Sequence, residues 1–227
     1  MPVRRARAAI PLIATALVGA GGAASAEPLI WPRGFVARLE AQTLLQTLNA
    51  ELLTHDSATK TLTRWCIDHH LDPAGTIVAR AIPGADKPAD QSVLAVLNAG
   101  PDQIVRHRRV ELVCGARVLA RADNWYLPRL LTREMNRQLD QSNTPFGLVV
   151  APLGFHRRTL SARLLYQPLP DGWDVGTPST GTEGRLVIPD RVIQHRAVLS
   201  TAVGAPFSVV FETYTNQVLP PQPPRVR

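Results

Sequence analysis

Residues 104–114 and 117–127 form two β-rich runs on either side of Gly115, and Pro128 stops the second. Runs of this length joined across a glycine predict an antiparallel hairpin, and a hairpin in mid-chain obliges its neighbours to pair with it or pack on it. The preceding residues follow a different period. Residues 34–53 place Leu39, Leu44, Leu45, Leu48 and Leu52 on a helical spacing, which predicts an amphipathic helix. A second helix is predicted within residues 55–71, capped by Asp56 or Ser57, with Leu62, Trp65 and Cys66 on one face. Residues 76–82 read as a strand and 85–92 as an exposed loop.

After the hairpin, residues 131–140 predict a short helix and 155–166 a strand, while 171–184 form a surface loop rich in Gly, Thr and Ser. Residues 193–219 read as two more strands around a turn at 204–206. Helices come first and hairpins follow, without βαβ alternation or internal repeats. The expected class is therefore α+β, an antiparallel sheet with helices packed on it.

The first 26 residues have a different purpose. Arg4, Arg5 and Arg7 precede an apolar stretch at 8–18, and Ala24, Ser25 and Ala26 close the segment, the layout of a secretory signal peptide cut after Ala26. The apolar stretch is short for a membrane span and is broken by Pro11. Export predicts a periplasmic or secreted protein with one folded domain at 27–219 and a disordered proline-rich tail at 220–227. The leader holds three arginines and no acid, so the formal charge of +7 falls to +4 on cleavage. That surplus is too small to argue for nucleic acid, and no segment outside the leader is long and apolar enough to keep the mature chain in a membrane.

Cys66 and Cys114 are the only cysteines. In an oxidising compartment such a pair often forms a disulfide; the alternative is two buried thiols acting as small hydrophobes. Metal binding is not expected, because His69 and His70 are adjacent and diverge, and no third ligand stands at a familiar spacing.

Two further places stand out. Phe146 lies between Pro145 and Gly147, turn residues that would present a bulky ring at the tip of a loop. Glu212 is surrounded by Val209, Val210, Phe211 and Tyr214, where a carboxylate is costly unless paired or neutral. It is a candidate acid or base, unless its strand is an edge that turns it to water.

The segments HDSATKTL at 55–62, RRVELVCGARVLARADNWYLP at 108–128, NTPFG at 143–147 and GAPFSVVFETY at 204–214, in this order, resemble the chorismate pyruvate-lyase family over residues 35–219. A related fold serves as a ligand-sensing domain in some bacterial transcription regulators, but no DNA-binding segment is expected ahead of this domain. The resemblance implies a chorismate lyase-like fold and a carbon–oxygen lyase reaction that removes pyruvate from chorismate to leave 4-hydroxybenzoate. It also implies that neither metal nor organic cofactor is needed and that the enzyme is monomeric.

Residue by residue, the resemblance gives Glu212 the role of acid or base and Phe146 that of a wall over the ligand ring. Gly147 would let the backbone approach. An arginine of the first hairpin strand would grip a substrate carboxylate with its planar fork. Ungapped counting selects Arg109, whereas strand alternation puts Arg108 on the face of Val110 and Leu112, so both remain open. Ala58 stands where the family has a methionine, which predicts a roomier pocket. Chorismate is made in the cytosol, so export leaves two expected functions: a lyase for chorismate or a related enol-ether carboxylate, and a non-catalytic binding protein for aromatic carboxylates.

Overall fold

A computed structural model describes residues 28–84, 86–176 and 184–221. The leader, residues 177–183 of the 171–184 loop and most of the tail lie outside these residues. Among the described residues the strands are β1 (Leu29–Arg33), β2 (Ile77–Ala81), β3 (Arg106–Cys114), β4 (Arg117–Tyr126), β5 (His156–Leu164), β6 (Arg185–Ile188), β7 (Arg191–Ser200) and β8 (Pro206–Thr215). The helices are α1 (Phe35–Thr54), α2 (Ala58–Asp68), α3 (Gln91–Leu97), α4 (Arg133–Gln141) and α5 (Phe146–Val149).

Six strands form one sheet in the order β2-β3-β4-β8-β7-β5, every neighbouring pair antiparallel. The fold is thus α+β, and its centre is the hairpin of β3 and β4, with Gly115 at φ 57° in the turn. A left-handed backbone of this kind suits glycine. Alternation along β3 sends Arg108, Val110 and Leu112 to one face, where α1 and α2 supply Leu45, Leu48, Leu52, Leu62 and Trp65 to the main core. Tyr126, Phe146 and Phe207 join α4 residues Met135 and Leu139 in a second cluster. On the opposite face, Val93 and Leu97 of α3 cover Trp125 and Val209.

Some local expectations need correction, and at the α2 cap and the cysteine pair the structure selects one of two open alternatives. The 85–92 segment is not loop throughout, because Asp90 accepts a hydrogen bond from Val93 N at 2.9 Å and caps α3, which starts at Gln91. Asn98, at φ 49°, ends that helix. With only Val93 and Leu97 buried, α3 is too short to display a helical period. The cap of α2 is Ser57, whose Oγ accepts from Lys60 N at 3.3 Å, and not Asp56. Residues 146–149 form one helical turn in place of a loop tip. β1 and β6 pair as a separate two-stranded sheet, Ile30 opposite Val187, a pairing of short strands too distant in sequence for any turn signal to announce. Cys66 of α2 and Cys114 of β3 are disulfide-bonded, with their Cα atoms 6.5 Å apart.

Candidate functional site

β8 lies between β4 and β7, so Glu212 is on an interior strand, opposite Ala122 on one side and His195 on the other. It faces the helix-covered side. Arg157 reaches across from the edge strand β5 and donates from Nη2 to Glu212 Oε2 at 2.6 Å. Their side chains are 3% and 8% exposed. Tyr214 OH donates to the same oxygen at 3.0 Å. Glu212 is therefore a paired carboxylate within the core, and not the lone acid that the flanking apolar residues alone would suggest.

Desolvation works against the Arg157 charge, but Glu212 and Tyr214 outweigh it, and the guanidinium pKa is raised. Burial, followed by the Glu212 charge, pushes the Tyr214 phenol well above its usual range. His195, fully buried beside Tyr214, has its pKa lowered by desolvation, with Glu212 pulling the other way and Arg157 adding to the fall. Its Nε2 hydrogen-bonds Asn49 Oδ1 of α1 at 2.8 Å, which puts the proton on Nε2. Nδ1 has no partner among the described residues.

A cavity of about 30 Å³ adjoins the pair, walled by Glu212 and Arg157, by Asp56 and Thr59 at the start of α2, and by Phe146 and Gly147 of α5. It is roughly a tenth of the smallest usual ligand pocket, ~300 Å³. Phe146 closes one side, 5% exposed, its ring 5.5 Å from Tyr126 and 6.4 Å from Phe207. A Cβ on Gly147 would sit 3.3 Å from both Ser57 Oγ and Thr59 Oγ1, so glycine is what lets α5 press against α2. Ala58 packs into the main core and is not part of the cavity wall. The small side chain there does not produce a roomier pocket, because it is buried among the core residues of α1, α2 and the sheet.

The structure separates the two arginines of β3. Arg108 is 8% exposed on the inner face, whereas Arg109 lies on the outer face with Nε 3.7 Å from Asp123. Arg108 Nη2 donates to the carbonyls of Ser142 and Thr144, at 3.2 and 3.4 Å, and so holds the segment leading into Phe146. Among the described residues, Nη1 has no partner and no carboxylate lies within ion-pair distance. Burial lowers the Arg108 pKa, yet a guanidinium remains charged at any ordinary pH.

Arg157 is the residue that sequence reading passes over. An arginine in HRRTL on an edge strand reads as solvated, and the only available signal is that alternation puts Arg157 on the face opposite His156 and Arg158. His195 is hidden similarly, between Gln194 and Arg196. Among the described residues no group of three or more His, Cys, Asp or Glu is placed to hold a metal ion, and no helix is long and apolar enough to cross a membrane.

No family model matches the chain. Among solved structures, PhnF from Mycobacterium smegmatis aligns with 86% of this chain and 91% of its own, at 12% identity and a TM-score of 0.47. The effector domain of PhnF aligns with 71% of this chain and 89% of its own, at 10% identity and a TM-score of 0.45. These likenesses are loose, and the fold assignment rests on the strand order described above. The curated protein y4mC of Sinorhizobium fredii (strain NBRC 101917 / NGR234), itself described as uncharacterized, is 47% identical over 191 residues, which span 83% of this chain and 81% of y4mC. At that identity and coverage the chain belongs to the same family as y4mC.

Proposed function

We propose that this domain binds a small aromatic or enol-ether carboxylate between the sheet, α2 and α5. The observation that carries this reading is Arg108, a buried guanidinium with an unpartnered Nη1 and no counter-ion among the described residues. A buried cation without an anion is strongly unfavourable, and an incoming carboxylate would relieve it in a two-bond fork. Arg108 also grips the segment before Phe146, so the same contact would report ligand arrival to the turn that closes the cavity. Phe146 would cover the ring. Opening requires α5 to move from α2, and ligand contacts must supply the free energy of that shift. Export of the protein is part of the proposal and accords with a Cys66–Cys114 disulfide.

Chorismate lysis is the second reading, favoured by the position of Glu212 on the cavity wall with Tyr214 hydrogen-bonded to it. In that reaction Glu212 would handle the proton while pyruvate leaves and the ring aromatises. To act so it must first exchange its Arg157 partner for substrate. Calorimetry with 4-hydroxybenzoate, run beside the absorbance assay of chorismate breakdown, tests both readings. Binding without turnover, weakened at least tenfold in Arg108→Met, is the expected result. Turnover would establish the lyase instead, and a folded protein showing neither heat nor turnover would end both readings.

A further inference from the structure

On the other side of the α2–α5 contact lies a second hollow of about 610 Å³, an open groove along α2 bounded by the start of β2 and by Leu148. Its volume falls within the range of small-molecule sites, roughly 300–1,000 Å³. Ser57, Lys60, Thr61 and Arg64 line it at helical steps of three and four, so they share one face of α2. Ile77, 3% exposed, and Leu148, 40% exposed, give it an apolar side.

The charge in this groove is unbalanced. Lys60 and Arg64 form no ion pair among the described residues. Asp56, the acid at the groove's end, is engaged elsewhere: Oδ1 accepts from Arg157 N at 2.8 Å, and Oδ2 lies 3.8 Å from His156 Nδ1. Arg64 is also held in place. Its Nη2 donates to His55 Nε2 at 3.1 Å, while His55 Nδ1 donates to the Glu51 carbonyl at 2.7 Å, a pairing that fits a neutral imidazole with its proton on Nδ1. A fixed guanidinium loses less conformational entropy on binding an anion than a free one. Thr61 adds a buried hydroxyl, 0% exposed, whose Oγ1 has no partner among the described residues. The positive end of the α2 macrodipole lies at the same end as Ser57 and Lys60.

We infer that this groove binds a soluble anionic amphiphile, with a carboxylate or phosphate head against Lys60 and Arg64 and an apolar tail along Ile77 and Leu148. The site is independent of the one proposed above. Arg157 lines the small cavity and not the groove, Arg108 lines neither, and only Asp56 lines both hollows.

The test uses the whole protein labelled with nitrogen-15 and titrated with octanoate, octyl phosphate and the neutral octyl glucoside. Octanoate and octyl phosphate should produce saturable shifts in the amides of Ser57, Lys60, Arg64, Gly75 and Ile77, with octyl glucoside at least tenfold weaker. The double variant Lys60→Glu/Arg64→Glu, which changes two exposed side chains and should melt at the wild-type temperature, should bind the anions at least tenfold more weakly. Equal affinity for octyl glucoside, shifts centred on Phe146 and Val210, or an unchanged affinity in the double variant would each overturn the inference. Binding to phosphatidylglycerol vesicles without binding of monomeric octyl phosphate would assign the face to a membrane and overturn it as well.

Discussion

Glu212 and Arg157 each depend on the other for a place in the core. The pair is 2.6 Å apart and nearly inaccessible, so removing one charge strands its partner without water. Glu212→Leu should therefore destabilise the fold by about 3–5 kcal/mol, and Arg157→Met by a similar amount. The double variant Glu212→Leu/Arg157→Met should recover most of that loss, because two apolar side chains leave no charge unpaired. Urea melts of the four proteins check this, and additive losses would mean that the pair is not a unit. At His195 the sign of the pH effect follows from its lowered pKa. The unfolded imidazole, near 6.5, takes up a proton before the folded one does, so the neutral ring contributes stability above pH 6.5 that is lost as pH falls through and below that value. Wild type should accordingly lose stability relative to His195→Gln between pH 7 and pH 5. His69, also lowered by burial, remains in both proteins and cancels in the difference.

Among the elements, α5 couples packing to the site most directly. Phe146 contacts Tyr126 and Phe207 and is 5% exposed, so its ring is core as much as cavity wall. Phe146→Ala should lower stability by about 3–5 kcal/mol, the range for a buried phenylalanine. Affinity for 4-hydroxybenzoate should fall with it, measured where the variant is still folded; full affinity would remove Phe146 from the binding wall. The Pro-Phe-Gly turn marks this place in the sequence, but the close approach of Gly147 to Ser57 and Thr59 joins residues that are far apart in the chain. The long helices and the β3–β4 hairpin are legible because their periods repeat several times. α3 is hidden because two buried residues make no period, although its Asp90 cap and Asn98 end are both present in the sequence. Arg157 is hidden for a different reason: its meaning comes from Glu212 across an intervening strand, and no local pattern encodes that partner.

In the whole molecule, the sheet order follows from hairpins that sequence reading finds, but β2 and β5 take their edge positions by contacts between distant segments. The same holds for β1 with β6, and for the indole of Trp65, which donates to the Val218 carbonyl at 2.8 Å and ties α2 to the C-terminal end of the domain. The Cys66–Cys114 disulfide is the covalent member of this set, joining α2 to β3 across a sequence separation of 48. A loop of that length restricts the unfolded chain enough to contribute about 4 kcal/mol, so reduction should lower the urea stability by about that amount. The start of α2 lines both hollows, and a domain loosened at Cys66 should also bind ligands more weakly in each of them, although neither cysteine touches a ligand. Thiol labelling of the unreduced, denatured protein should modify neither cysteine when the protein is recovered from an oxidising compartment. Labelling of both, with stability unchanged by reductant, would show that the native domain holds two thiols and would remove the support that the bond gives to export.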